Sequence, residues 1–170
     1  MTAQYFRGCF MRFLFGAVRV ATALIAASVC AAGTAWGSAT VASEGGSIVL
    51  HDGGKSLRLT QGHTDREPVL SPDGRLVVFT RSQPADEMQD CEASAKNGAG
   101  LWAVEVASGK ARQLAAARTS QKPEEQLCVF SEKQFSSDGK RLYFSTPAWA
   151  TSGAVWVYDF TRAKASYLVA

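Results

Sequence analysis

Apolar and polar positions alternate along the chain from about residue 47 to its end, with tight-turn residues at regular intervals. The stretch "RLVVFTRS" (Arg75–Ser82) is dense in β-branched and aromatic residues, which suit a pleated, half-buried strand. "RLYFST" (Arg141–Thr146) alternates in the same manner. A turn precedes each strand. In Ser71-Pro72-Asp73-Gly74, proline sets φ at about −65°, aspartate supplies a side-chain acceptor, and glycine tolerates positive φ. The second copy replaces proline with serine and reads Ser137-Asp138-Gly139. Both phrases predict a structural turn feeding a strand.

Longer phrases repeat as well. "LWAVEVASGKARQL" (Leu101–Leu114) matches "VWVYDFTRAKASYL" (Val155–Leu168) at a shift of 54 residues. Each reads as a strand, a tight turn and a second strand, and "SIVLHDGGKSLRLT" (Ser47–Thr60) reads as the same hairpin again. Repeats of this size, made of four short strands, are the signature of propeller blades. With strands A to D running outward from an axis, the first blade has A near Pro68–Leu70, B at Leu76–Arg81, C near Trp102–Val106 and D near Arg112–Ala115. The second has A near Lys133–Phe135, B at Arg141–Ser145, C at Val155–Asp159 and D at Ser166–Val169. A helical solenoid is excluded by the alternation.

The first forty residues belong to another class. Arg7, Arg12 and Arg19 precede the apolar run "VATALIAASVCAA", and no acidic residue comes before Glu44. That is the layout of a secretory signal peptide, and the run is short for a bilayer span. The expected division is a signal peptide over 1–39, cleaved near 35 or 39, with translation starting at Met1 or Met11. A linker over 40–46 follows, in which "GGS" (Gly45–Ser47) has no strand before it, then blades over 47–170: a hairpin at 47–60, a blade at 67–115 and a blade at 132–169. Two blades and one hairpin fall short of the usual four or more. The reading is therefore a propeller truncated at its C-terminus.

Removing the leader changes the charge. The chain has 18 Lys and Arg against 15 Asp and Glu, and three of the arginines lie in the leader, so the exported part is formally neutral. It carries no basic run with interleaved aromatics, so no nucleic-acid partner is expected. Cys9 and Cys30 leave with the leader, and an even pair, Cys91 and Cys128, enters an oxidising compartment. A disulfide between them closes a loop of about 37 residues, worth about 4 kcal/mol in the chain-entropy model. In an up-and-down blade both cysteines fall on connections at the same face, as a bridge requires.

"LSPDGRLVVFTRS" followed by "LWAVEVASGKARQL" resembles the WD40-like PD40 repeat of TolB-type β-propellers, and the likeness extends from about Ser47 to the C-terminus. The resemblance implies an all-β fold: a partial propeller of about two and a half four-stranded antiparallel blades after a signal-peptide helix. It also implies kinship with small exported proteins of this type in the cell envelope.

Few residues offer chemistry. There is no GxSxG, and the histidines are His51 and His63. His63 with Asp65 makes half of a triad, without a positioned nucleophile. Asp86, Glu87, Asp90 and Glu92 in "ADEMQDCEASAKNGAG" lack the ligand spacing of a calcium loop. That stretch reads as a solvated insertion. Trp102, Tyr143, Trp156 and Tyr158 read as packing between blades, and Trp149 as a surface contributor. No catalytic, metal-binding or cofactor-binding residue is assigned, and no cofactor is expected. The expected function is a non-catalytic periplasmic or secreted module that binds a protein or glycan partner, with no stable membrane span after the leader. The alternative is the propeller part of a larger exported hydrolase similar to prolyl oligopeptidases.

Overall fold

A computed structural model describes residues 39–62, 64–82, 90–149 and 152–170. The signal peptide expected at 1–39 lies, up to residue 38, outside the described residues. Three antiparallel sheets follow in chain order. The first contains β1 (Thr40–Glu44), β2 (Ser47–Asp52) and β3 (Lys55–Arg58), in that order. The second contains β4 (Asp65–Leu70), β5 (Leu76–Arg81), β6 (Gly100–Glu105) and β7 (Ala111–Ala116). The third contains β8 (Ser131–Phe135), β9 (Arg141–Trp149), β10 (Ser152–Asp159) and β11 (Lys164–Val169). A short helix, α1 (Cys91–Lys96), sits in the connection from β5 to β6.

Three consecutive up-and-down sheets stack face to face. Along one edge β1 meets β4 and β4 meets β8; along the other β7 meets β11. This is the arrangement of successive blades in a β-propeller, whose inner strands converge on an axis. The protein is all-β and forms part of a propeller.

The segment 40–46 is a correction. Read as a linker, it is instead strand β1 and a two-residue turn. Glu44 pairs with Ser47, and Gly45 and Gly46 take φ of 57° and 72°. Positive φ at both central positions matches the right-handed strand twist and closes a hairpin. The same device joins β2 to β3, where Gly53 and Gly54 take φ of 54° and 80°. The hairpin at 47–60 thus gains a third strand.

The turn phrases have a common geometry. Ser71 Oγ donates to Asp73 Oδ1 at 2.6 Å and accepts from the Leu76 amide at 2.9 Å. In the second copy Ser136 Oγ donates to Asp138 Oδ1 at 2.6 Å and accepts from the Arg141 amide at 3.0 Å. The structural partner of Ser71 is therefore Ser136; Ser137 stands where Pro72 stands. Each aspartate also accepts from a backbone amide two residues on, Arg75 or Lys140. These bonds hold both carboxyls below the ordinary aspartate value, the serine hydroxyl contributing most.

Backbone bonds sort the connections into two ends. At one end, the Val106 amide donates to Arg75 O and the Phe160 amide to Lys140 O, so each phrase turn sits beside the next hairpin turn of its sheet. At the other end, the Ser82 amide donates to Thr64 O and the Ala117 amide to Ala99 O. The irregular segments gather there.

Two hydrophobic seams hold the sheets together. Between the first and second sheets lie Ile48, Leu50, Leu59, Val77, Phe79 and Val104. Between the second and third lie Val78, Leu101, Ala103, Leu127, Phe130, Leu142, Phe144, Ala154, Trp156 and Tyr158. Val77 and Val78 face opposite seams because successive strand side chains alternate. Tyr143 alternates away from Leu142 and Phe144 and shares the other face of the third sheet with Val157 and Leu168.

Candidate binding end

The end that carries the irregular connections is fixed covalently. Cys91 opens α1, Cys128 lies in the β7–β8 connection, and the two are joined with a Cα–Cα distance of 5.2 Å. The bridge ties the second sheet's B–C connection to the segment entering the third sheet. Around it, Arg118 and Leu127 form an isolated antiparallel bridge. Gln126 Nε2 donates to Pro147 O at 2.8 Å, which anchors the connection to β9.

The insertion expected at 85–100 contains helix α1. Asp90 caps it, its Oδ1 accepting from the Glu92 amide at 3.1 Å, with Lys96 in the last turn. Both charges complement the helix dipole. Asp86 and Glu87 lie outside the described residues. Among the described residues no group of three metal-ligating side chains occurs.

Asp65 is fully buried and its role is structural. Arg81 grips it with two parallel bonds, Nε to Oδ1 at 2.6 Å and Nη2 to Oδ2 at 2.8 Å. Bidentate pairs of this kind are strong and geometrically specific. The pairing raises Arg81 above its ordinary value. The guanidinium carbon also lies 4.6 Å from the Trp102 ring centroid and 5.3 Å from that of Phe79. The Asp65 backbone links two sheets: its amide donates to Gly46 O, and its carbonyl accepts from Ser43 Oγ. Glycine at 62 permits the close approach, since a Cβ there would stand 2.9 Å from Asp65 Oδ2. His63 lies outside the described residues. His51 bonds Ser56 Oγ and Glu44 Oε1, both at 2.9 Å, within the first sheet.

Sequence reasoning passed over Lys133. Its side chain is 2% exposed, and its Nζ donates to Glu67 Oε2 at 2.8 Å, Thr80 Oγ1 at 3.0 Å and Phe130 O at 2.9 Å. All three ammonium protons therefore have acceptors. Burial pulls the ammonium below the ordinary lysine value, and Glu67 opposes that shift. The tie spans β4, β5 and the entry to β8. Glu67 and Glu132 occupy matching bulges in the two inner strands, with φ of 49° and 47°. No periodicity in the sequence marks a bulge, so Lys133 looked like an ordinary strand residue.

A cavity of about 60 Å³ opens beside this tie. Its walls come from β4 and β5 (Arg66, Glu67, Thr80), from Ser82 just after β5, from α1 and the residues after it (Ser94, Ala99), and from Phe130. Arg66 donates to Ser82 Oγ. Of the aromatic set, Trp156 and Tyr158 are buried in the second seam, and Trp102 is half-buried against the first. The Trp149 side chain lies outside the described residues. Among the described residues no helix is long and apolar enough to cross a membrane.

The sheets and the connecting end define a β-propeller module. No family model matches the chain, and no curated protein matches it. Solved structures with a similar fold are β-propellers. One is the β-propeller domain of the Trilobed protease from Pyrococcus furiosus, at 14% identity and a TM-score of 0.48, covering 73% of this chain and 34% of that one. Another is a putative TolB from Agrobacterium tumefaciens, at 12% identity and a TM-score of 0.49, covering 73% and 38%. A third is the acylaminoacyl peptidase of Pyrococcus horikoshii, at 16% identity and a TM-score of 0.47, covering 72% and 21%. The chain spans about a third of the length of the first two. The likeness is one of fold.

Proposed function

We propose that this protein is a non-catalytic, exported propeller module that binds a protein or glycan partner through the end carrying the disulfide. The observation that carries the reading is the concentration of irregular segments at one end of rigid sheets, stapled by Cys91–Cys128. Long connections on a rigid scaffold are where proteins place recognition. The polar residues with the chemistry of catalysts or ligands also have structural engagements. Asp65 is locked to Arg81, Asp90 caps a helix, and Asp73 and Asp138 close turns. Export is supported by the leader-like first segment and by a paired cysteine count.

The test is turnover. Purified exported protein, incubated with broad panels of peptides and glycosides, is expected to release no product. Immobilised on a glycan array and cross-linked in envelope extracts, it is expected to retain a partner whose capture is lost on reduction of Cys91–Cys128. Release of product that a point variant abolishes would overturn the reading.

A further inference from the structure

The cavity is lined by one cation, Arg66, and one anion, Glu67, and the carboxylate of Glu67 is engaged from outside the lining by Lys133. Lys133 and Glu67 neutralise each other at 2.8 Å. Asp65 is satisfied by Arg81. Arg66 remains: among the described residues no carboxylate pairs with it, and its guanidinium donates to Ser82 Oγ on the cavity wall. We propose that this cavity takes a carboxylate, that of a glutamate or aspartate side chain offered by a protein partner. The proposal rests on the binding-module reading and names the chemistry of its partner.

Size and donors support the assignment. A water needs roughly 10–15 Å³ of such space. A volume of about 60 Å³ therefore holds about four such groups, the size of a carboxylate with its methylenes. The Ser82 oxygen accepts from Arg66, which leaves its hydroxyl proton free to donate, and Ser94 also lines the cavity. Both serines are buried. Phe130 and Ala99 supply an apolar floor for the methylenes. An arginine fork with hydroxyl donors is the arrangement that recognises carboxylate in preference to amide.

The walls are pre-organised. The disulfide joins α1, which carries Ser94, to the segment that carries Phe130. Four of the described non-glycine residues have positive φ; of these, Glu67 and Val129 line the cavity, and Glu132 directly follows Ser131, which lines it too. Backbone held in this region is costly and concentrates at ligand sites. A rigid site loses less entropy on binding.

The experiment is an amide NMR titration of the full exported chain with N-acetyl-Ala-Glu-Ala-amide, run against the same peptide with glutamine and against methyl glycosides. Saturable shifts at Ser82, Ser94 and Ser131 are expected with the glutamate peptide alone. Arg66→Gln is expected to weaken them by about tenfold or more, the loss of a charge-assisted pair, and Arg112→Gln on the outer strand β7 to leave them unchanged. Equal binding of the glutamine peptide or of a glycoside overturns the proposal, as does a glutamate response that survives Arg66→Gln or never saturates. The glutamate-against-glutamine contrast on the unmodified chain decides the matter even if the variant does not fold. Turnover of a substrate would sink the module reading while leaving this titration untouched, so the two fail separately.

Discussion

The two seams between the sheets are built by different means. The first is mostly aliphatic and compact, with Ile48 and Leu50 from β2 meeting Val77, Phe79 and Val104. Its polar reinforcement is the Asp65 carboxylate held by Arg81, with the Asp65 backbone bonded to Ser43 and Gly46. The second is wider and aromatic. Phe130 lies tilted against Phe144 with centroids 5.7 Å apart, and Trp156 meets Tyr167 edge-on at 5.8 Å. It also carries a buried lysine and a covalent bridge. The difference has a local cause. The first two sheets are joined by the short connection 59–64, which bonds directly back to Ile48 through the Leu59 amide at 2.8 Å. The second and third are joined by residues 117–130, a longer path whose ordering entropy must be offset by bonds of its own. The candidate cavity lies where that longer path had to be stapled.

The largest expected effect is at the aromatic seam. Trp156→Ala removes the biggest fully buried side chain among the described residues and is expected to cost about 3–5 kcal/mol in urea unfolding. Ile48→Val in the aliphatic seam is expected to cost only about 0.5–1.5 kcal/mol. Equal costs would break the contrast. Next comes the covalent tie: reducing Cys91–Cys128 is expected to lower stability by about 2–4 kcal/mol. Hydrogen exchange should then rise at α1 and at 117–130 while β2 keeps its protection. Uniform loosening of all three sheets would count against a local staple.

The smallest effect is at the turns, common to both blades. Ser71→Ala removes the bond to the Leu76 amide and is expected to cost about 1 kcal/mol at neutral pH. The Asp73 carboxyl is held below its ordinary value of 3.8, chiefly by Ser71. A depressed aspartate contributes stability above its unfolded value and loses it as pH falls through the folded one. The gap between wild type and Ser71→Ala should therefore narrow as pH falls below about 4. Ser136→Ala should behave likewise, because Asp138 has the same partner. A gap that widens in acid would remove this account of the turns.

Much of the sheet pattern could be read from residues. The strand at Leu76–Arg81 has the bounds expected of it, because dense β-branched residues after a turn leave little choice. The other strands begin or end within a few residues of their expected places. Helix α1 was missed because six residues are too few to show a 3.6-residue period. Strand β1 was missed because Gly45-Gly46 reads equally as a flexible spacer and as a hairpin turn. Ser137 stands where the sequence placed it, opposite Pro72, but the part played by Ser136 shows only once its hydroxyl is seen to bond Asp138 and the Arg141 amide.

The candidate cavity was not legible at all. Arg66, Ser82, Ser94 and Phe130 come from separate segments, and no spacing brings them together. Sequence alone determined the strands, their turns and the cysteines available to pair, because these depend on local conformational preference and on alternation. Only the tertiary structure decided that Lys133 would be buried, that Asp65 would be locked to Arg81, and that Arg66 would line a cavity together with Ser82 and Ser94. Burial and charge pairing are set by which distant residues meet, and that is a property of packed sheets.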